Sequence, residues 1–145
     1  MLLGLGVDLC AIERVGEAIG RPRFLERVFS PAERERLLAA SGPRRDELAA
    51  GLFAAKEAVA KALGTGFTGF GPWDIEVAPD AAGRPRCRLM NGALARAEAL
   101  AGDGWSVFVS ITHEGGMAAA VAVLEGSAER PRESSSGTEN GGNCE

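Results

Sequence analysis

The chain has 145 residues, of which 16 are basic and 20 are acidic, giving a net charge of −4 at pH 7. Hydrophobic residues make up 46% of the sequence and charged residues 25%, a balance typical of globular domains and not of disordered chains. No apolar run approaches the roughly 20 residues that span a bilayer, and the opening MLLGLGVDL lacks the basic segment of a secretory signal. The negative net charge argues against broad nucleic-acid binding, which needs a sustained basic surface.

The cysteines indicate the redox environment. Cys10, Cys87 and Cys144 lie far apart, without the spacing of a disulfide framework or of a zinc site. A chain of this length is most simply one domain. We therefore expect a cytoplasmic protein that binds neither membrane nor nucleic acid.

The predicted elements begin with a strand. In residues 2–9, apolar residues alternate with glycine and aspartate, which predicts a strand. Apolar residues recur at helical spacing in residues 12–19 and predict a short helix. Ser30, Pro31 and Glu33 have the pattern of a capping box with proline in the first turn, so a second helix starts there.

The longest predicted helix covers residues 47–63. The polar stretch 41–46 separates it from the preceding helix, and Gly64 ends it at a position where glycine is favoured. A glycine-rich loop, residues 64–72, follows. Its composition resembles a phosphate-binding loop, but such loops precede helices, so a helix C-cap and turn explains it equally well.

The second half of the chain is rich in predicted strands. Residues 73–78 and 86–89 flank a turn and predict a hairpin, and Asn91 is placed to cap a short helix that ends near residue 100. Two further strands, 105–112 and 117–124, form a second hairpin. This order predicts an α+β fold in which an antiparallel sheet packs beside the long helix.

The predicted single domain covers residues 1–125. Residues 126–145 contain almost no apolar side chains and cannot bury enough surface to offset the entropy of ordering. We therefore predict that they form a disordered tail.

Asp8 is the first candidate for chemistry. It shares a strand face with Gly4 and Gly6, so the surface around its carboxylate is open to close approach by backbone or ligand. Aspartate is disfavoured inside strands. Taken alone, Asp8 is more simply a residue that ends the strand and caps the next helix.

Glu57 and Lys61 lie four residues apart on the long helix, opposite its apolar side. Such a pair is commonly a solvated ion pair that contributes ~0.3–0.5 kcal/mol. Two features favour a functional interpretation: small residues surround the pair, and the chain has only one other lysine, Lys56. The carboxylates of Asp8 and Glu57 with Lys61 nearby would suit Mg²⁺ and a phosphate, provided that the fold brings them together.

A third group is basic. Arg14, Arg21, Arg23 and Arg27 surround Phe24 on and after the first predicted helix. The arginines form either a solvated face or a docking patch for an acidic protein. His113, the only histidine, has no second ligand at metal-binding spacing, so zinc is not expected.

Four segments in this order resemble one known family. They are GVDLCAIERV at 6–15, ERVFSPAE at 26–33, LFAAKEAVAKALGTG at 52–66 and VSITH at 109–113. Together they are similar to the holo-acyl-carrier-protein synthases, the small trimeric branch of the 4′-phosphopantetheinyl transferases. The resemblance implies that fold, a homotrimer with sites between subunits, and transfer of 4′-phosphopantetheine from coenzyme A to a serine of apo-acyl carrier protein.

The resemblance also implies roles for individual residues. Asp8 and Glu57 match the family's magnesium ligands, and Lys61 matches the lysine that contacts the coenzyme A pyrophosphate. The residues that match other coenzyme A contacts are Gly64, Thr65, Pro85, Ser110 and His113. Those that match the carrier-protein surface are Arg14, Arg21, Arg23, Phe24 and Arg27.

One position departs from the family pattern. Leu52 stands where many members have an arginine for the 3′-phosphate of coenzyme A, which leaves that contact to another residue such as Arg84 or Arg86. The proton acceptor for the attacking serine stays open between a metal-bound water, Glu57 and Asp8.

Two other functions are compatible with the same residues. The carboxylates would also serve a magnesium-dependent phosphohydrolase of coenzyme A or a nucleotide. A non-enzymatic ligand-binding module is the other alternative, with Glu57 and Lys61 as a surface pair only.

Overall fold

The computed structural model describes residues 1–127 of the chain. The strands are β1 (Leu2–Ala11), β2 (Ile75–Pro79), β3 (Pro85–Leu89), β4 (Trp105–Glu114) and β5 (Met117–Gly126). The α-helices are α1 (Ile12–Ala18), α2 (Pro22–Val28), α3 (Pro31–Ala39), α4 (Gly42–Ala62) and α5 (Asn91–Ala101), with a 3₁₀ turn at Pro72–Asp74. None of the helices in this part of the chain is long and apolar enough to cross a membrane.

The strands form one antiparallel sheet in the order β1-β5-β4-β3-β2. In the first pair Asp8 lies opposite Ala120, and in the β4–β5 hairpin Ile111 lies opposite the same alanine. The pairing between β3 and β4 is short, at Arg86 and Phe108. The α+β prediction with an antiparallel sheet beside a long helix is confirmed.

Helix α4 packs directly on β1. A Cβ atom added to Gly4 would lie 1.9 Å from the carbonyl oxygen of Ala62, and one added to Gly6 would lie 1.8 Å from that of Ala58. The glycines of β1 therefore exist because the backbone of α4 approaches the strand too closely for any side chain. The sequence left open whether backbone or a ligand approaches this face of β1. At Gly4 and Gly6 it is the backbone of α4.

The start of α4 differs from the prediction. The helix begins at Gly42 and not at residue 47, because Pro43 lies in the first turn, where proline costs no hydrogen bond. Burial also extends beyond the apolar side that the sequence predicted, since most sides of the helix are buried. The residues of α4 that are buried are Ala49, Ala50, Gly51, Leu52, Ala54, Ala55, Lys56, Ala58, Val59, Ala60 and Ala62.

Other local predictions have mixed outcomes. The capping box is confirmed, since the Ser30 hydroxyl accepts a hydrogen bond from the backbone N–H of Glu33 and the Glu33 carboxylate accepts one from that of Ser30. Asn91 is not the cap of α5, because Met90 holds that position and the Asn91 amide donates to Asp74 Oδ1 at 2.8 Å. The strand predicted at 73–78 starts two residues later, because a 3₁₀ turn precedes it, and α2 was not predicted as a helix.

The end of the described chain is bonded to its first residue. Strand β5 continues through Gly126, whose N–H donates to the Met1 carbonyl at 2.9 Å. The predicted tail, apart from Gly126 and Ser127, lies outside the described residues, as does Cys144. Cys10 and Cys87 are free thiols.

Candidate active site

Asp8 lies inside β1 and not at its end, so its interpretation as a helix cap is wrong. Its carboxylate accepts a hydrogen bond at 3.0 Å from the Lys61 ammonium, which also donates to the Val7 carbonyl at 2.9 Å. The Asp8 side chain is 16% exposed and that of Lys61 is 51% exposed. The fold thus joins two of the predicted residues through the contact of α4 with β1.

Glu57 is half-buried one turn before Lys61 on α4. Burial raises its pKa above the ordinary value, the nearby Asp8 carboxylate raises that pKa further, and Lys61 lowers it. Asp8 and Glu57 are therefore close enough to repel each other. Lys61 forms its ion pair with Asp8. The spacing of Glu57 and Lys61 on the helix therefore does not reflect an ion pair between these two residues.

Both carboxylates line a cavity of about 420 Å³. Arg14, Arg21 and Phe24 line the same cavity, so part of the predicted docking patch borders the acidic centre. The other lining residues are Leu9, Cys10, Ala11, Val15, Ala18, Phe53 and Met117. The two carboxylates of this concave surface are partly buried and are called its acidic centre, and the two arginines are exposed and are called its basic rim.

The rest of the basic patch lies on or beside α2. The Phe24 ring packs against the rings of Phe53, at 6.1 Å between centroids, and of Phe29. Arg23 and Arg27 are exposed on the same helix. Arg14 thus lies on α1, Arg23 and Arg27 lie on α2, and Arg21 directly precedes α2.

Asp8 and Glu57 offer two carboxylates, which suits Mg²⁺ but is too few ligands for a metal that is bound by protein side chains only. Among residues 1–127 no three His, Cys, Asp or Glu side chains converge on one point. Mg²⁺ is commonly held by one or two carboxylates and completes its shell with water and phosphate oxygens. A cation would also offset the repulsion between Asp8 and Glu57, so these residues fit the metal that the resemblance implies.

Gly64 and Thr65 follow Lys61 directly at the end of α4. Gly64 has a φ of +80° and its N–H donates to the Lys61 carbonyl at 2.9 Å, which confirms that glycine ends this helix. The Thr65 hydroxyl donates to the Gly66 carbonyl at 3.2 Å. The loop therefore leaves the helix beside the lysine, and its role in coenzyme A binding stays a prediction.

The remaining predicted coenzyme A contacts lie elsewhere. Pro85 and His113 line a second cavity of about 390 Å³, together with Arg36 and Arg44. Ser110 is exposed on β4 opposite Val121, on the other face of the sheet from α4. Pro85 and His113 thus share one cavity, which is not the one lined by Asp8 and Glu57.

Arg84 or Arg86 was expected to replace the family arginine, which is absent at Leu52, in contacting the 3′-phosphate of coenzyme A. Their surroundings give no support for that role. Both guanidinium groups are paired with Asp80, at 3.2 and 3.0 Å. Leu52 itself lines the second cavity, where the nearby cations are those of Arg36 and Arg44. The Arg36 guanidinium donates to the Val77 carbonyl at 3.0 Å, whereas Arg44 is exposed.

Two buried charges were missed in the sequence. Lys56, one residue before Glu57, has no exposed surface and forms an ion pair with Glu33 at 2.8 Å. The sequence indicated this pair only weakly, through Glu33 in a capping box and Lys56 on an alanine-rich helix. The two lysines of the chain therefore have different surroundings, because Lys56 lies in the core and Lys61 at the site.

Comparisons with known proteins identify the family of the chain. The model of the 4′-phosphopantetheinyl transferase superfamily matches residues 4–121. Holo-[acyl-carrier-protein] synthase of Solidesulfovibrio magneticus is 51% identical over 129 residues, which cover 87% of this chain and 100% of that protein. The synthase of Clostridium novyi is 40% identical over 99% of this chain and 94% of its own length.

Solved structures give the same result. A holo-(acyl-carrier-protein) synthase of Bacillus anthracis in complex with CoA (3′,5′-ADP) is 34% identical, has a TM-score of 0.73, and aligns over 88% of this chain and 99% of that chain. The Helicobacter pylori synthase in complex with coenzyme A is 29% identical, with a TM-score of 0.70 over 83% and 99% of the two chains. The chain therefore belongs to the 4′-phosphopantetheinyl transferase superfamily, in the family of the holo-[acyl-carrier-protein] synthases.

Proposed function

We propose that this protein transfers 4′-phosphopantetheine from coenzyme A to a serine of apo-acyl carrier protein in a magnesium-dependent reaction. The serine oxygen forms a bond to the phosphorus next to pantetheine. The pyrophosphate bond to the nucleotide breaks, adenosine 3′,5′-bisphosphate leaves, and the serine loses its proton. The observation that carries the proposal is that Asp8 and Glu57 line one concave site and that Lys61 contacts Asp8 there.

Charge neutralisation is the main chemical demand of this reaction. Asp8 and Glu57 would hold Mg²⁺, which supplies positive charge to the pyrophosphate when bound. Lys61 has three N–H donors, of which Asp8 and the Val7 carbonyl use two. The third is available for a phosphate oxygen of the leaving group.

Burial and the Asp8 charge raise the pKa of Glu57, which favours that carboxylate as a proton acceptor. A metal-bound water and Asp8 are the other candidates for the serine proton.

The carrier protein would dock on the basic rim of the cavity. Arg14 and Arg21 line the cavity, Arg27 is exposed at the end of α2, and Phe24 supplies apolar surface between them. Positive charge around the acidic centre suits an acidic recognition helix and brings its serine to the phosphorus. Without Mg²⁺, Asp8 and Glu57 would repel the acidic carrier protein. Docking of the carrier would therefore depend on the bound metal.

The face of the sheet opposite α4 supports a homotrimer. Leu5, Val7 and Leu9 are 59%, 55% and 61% exposed, and Phe108 and Val121 are 50% and 41% exposed on the neighbouring strands. An apolar face of this kind is typical of a surface covered in an assembly. Further copies of this chain are the proposed occupants, and the number three comes from the family resemblance.

A shared site would also explain the two cavities. Coenzyme A would lie between copies, with Asp8, Glu57 and Lys61 of one copy facing Pro85 and His113 of the next. The reaction would take place in the cytoplasm, where coenzyme A and reduced thiols occur together.

Intact-protein mass spectrometry tests the proposal. Apo-acyl carrier protein is incubated with the protein, coenzyme A and Mg²⁺, with EDTA in a parallel sample. The proposal predicts that the carrier gains one phosphopantetheine and that EDTA abolishes the gain. No gain with several carrier proteins and folded enzyme would contradict it.

A further inference from the structure

We propose that Glu33 and Lys56 are positioning residues, whose buried ion pair fixes α4 along β1 and so holds Glu57 and Lys61 beside Asp8. This inference rests on the proposed function, because it concerns the geometry of that site. Neither residue lines the cavity of Asp8 and Glu57, so they act through the helix and not on substrate.

The ion pair joins three segments of the chain. The Lys56 ammonium contacts Glu33 Oε2 at 2.8 Å on α3, and it donates to the carbonyl oxygens of Pro72, at 3.0 Å, and of Ile75. The second carboxylate oxygen of Glu33 accepts from the Val77 N–H at 2.8 Å. All three donors of Lys56 and both oxygens of Glu33 are thus used.

Stability alone does not account for such a pair. Removing two charges from water has a high desolvation cost, and burial accordingly lowers the pKa of Lys56 despite the nearby Glu33 carboxylate. Apolar side chains of similar volume often give an equal or more stable core. Directional contacts to fixed partners, by contrast, specify where a helix lies, which apolar packing does less sharply.

Apolar packing alone would determine the position of helix α4 only weakly. Its buried surface consists mainly of alanine methyl groups, which form shallow ridges and resist sliding or rotation weakly. A shift by one residue moves a helix by about 1.5 Å along its axis and changes its facing by about 100°. Such a shift would break the 3.0 Å contact of Lys61 with Asp8 and would turn Glu57 away.

Lys56 is suited to prevent that shift because it directly precedes Glu57. Its three contacts lie at the segment 72–77 and at α3, whereas Glu57 and Lys61 face β1. The helix is therefore held on one side by the ion pair and approaches the glycines of β1 on another. The two contacts together determine its position.

The test compares two charge-removing variants with a matched core variant. Glu33→Gln/Lys56→Met removes both charges, and Glu33→Gln alone keeps the shape of the side chain. Val59→Ala is the control, because Val59 is fully buried in α4 and outside both the ion pair and the site. Each variant is measured at a temperature at which circular dichroism shows it folded.

Two readouts separate positioning from stability. The first is kcat and KM for coenzyme A in the transfer to carrier protein. The second is Mn²⁺ binding measured by electron paramagnetic resonance with coenzyme A and without carrier, which requires no turnover. We expect kcat to fall about tenfold or more and the Kd for Mn²⁺ to rise about threefold or more in both charge-removing variants, with KM changed less than about threefold.

Val59→Ala should keep kcat and the Kd for Mn²⁺ within about twofold of the parent protein. The inference is overturned if the charge-removing variants behave like Val59→Ala, or if neither of them folds while Val59→Ala does. Failure of the proposed function would be seen in the parent protein itself, which would transfer nothing. Mn²⁺ binding would then still decide whether the ion pair positions the two carboxylates.

Discussion

At the site, two carboxylates lie near one lysine. Lys61 contacts Asp8 directly, whereas Glu57 is half-buried and feels the Asp8 charge more strongly than it feels the lysine. The two carboxylates therefore repel each other, with Lys61 in contact with Asp8 and with Arg14 and Arg21 lining the same cavity. A site of this kind favours a cation and, through it, an anionic substrate.

Replacing either carboxylate should abolish most activity and preserve the fold. We expect Asp8→Ala and Glu57→Ala each to lower kcat/KM for carrier modification by about 100-fold or more, because each removes a proposed metal ligand. Glu98→Ala, an exposed acidic residue on α5, is the control and should stay within about twofold. Carrier modification followed by mass spectrometry measures the effect, and full activity of the Asp8 or Glu57 variant would refute the assigned site.

The charge of Glu57 should cost stability in the absence of metal. Because the pKa is raised in the folded protein, that state binds the proton more tightly than the unfolded chain does, and the stabilisation is lost as pH rises through the folded pKa. Glu57→Gln should therefore raise the Tm at pH 7 by roughly 1–4 °C, and the gain should vanish near pH 4. Thermal unfolding in EDTA measures it; a lower Tm at pH 7 would contradict the environment described for Glu57.

The sequence predicted the members of this site but not their contacts. The spacing of Glu57 and Lys61 suggested an ion pair along the helix. In the structure Lys61 forms its ion pair with Asp8 instead. That pairing depends on how two elements distant in sequence meet, which a local pattern does not contain. The Glu33–Lys56 pair was missed for the same reason.

Among the elements, the contact of α4 with β1 positions the site. The glycines of β1 let the helix backbone approach, and Asp8 follows them on the same strand face. This close approach lets Lys61 of the helix contact Asp8 of the strand at 3.0 Å. The glycine pattern of β1 thus positions Asp8 and Lys61, because it lets the helix and the strand approach closely.

Gly6→Ala should therefore damage both fold and site. The added methyl would lie 1.8 Å from the Ala58 carbonyl oxygen, so α4 must move away. We expect the free energy of unfolding to fall by about 2–4 kcal/mol, as measured by urea denaturation. Gly20→Ala, at an exposed position with its nearest neighbour at 3.2 Å, should cost less than about 1 kcal/mol; equal effects of the two would contradict the close approach.

Element boundaries were predictable where the signal was local. The capping box at Ser30 and the glycine at the end of α4 gave correct ends, because hydrogen bonds within a few residues determine them. The start of α4 was misplaced because the polar stretch 41–46 was interpreted as a break between helices, whereas Pro43 in that stretch lies in the first turn of α4. Burial of α4 on most sides was also missed, since its alanines look neutral in an amphipathic pattern.

For the whole molecule, the exposed apolar sheet face and the two separate cavities have one explanation. If copies pack through Leu5, Val7 and Leu9, the cavity of Pro85 and His113 is available to complete a neighbour's site. A single copy would then bind coenzyme A poorly.

Mixed assemblies test this division of labour. Asp8→Ala and His113→Ala should each have low activity alone, since each damages every shared site. Co-expression with two affinity tags selects mixed assemblies, and in the proposed trimer one of the three shared sites of each mixed assembly, about a third, contains both native residues. We expect activity to return to about that fraction of the parent value. Mixed assemblies no more active than the separate variants would contradict a site shared between copies.

The most direct test of the transfer reaction is its stoichiometry. Holo-carrier is measured by intact mass and adenosine 3′,5′-bisphosphate by chromatography in the same samples, with the parent protein and with Glu57→Ala. The account predicts one nucleotide released for each carrier modified, no release when the carrier is omitted, and little of either product with Glu57→Ala. Nucleotide release without carrier modification would indicate a phosphohydrolase and would contradict the account.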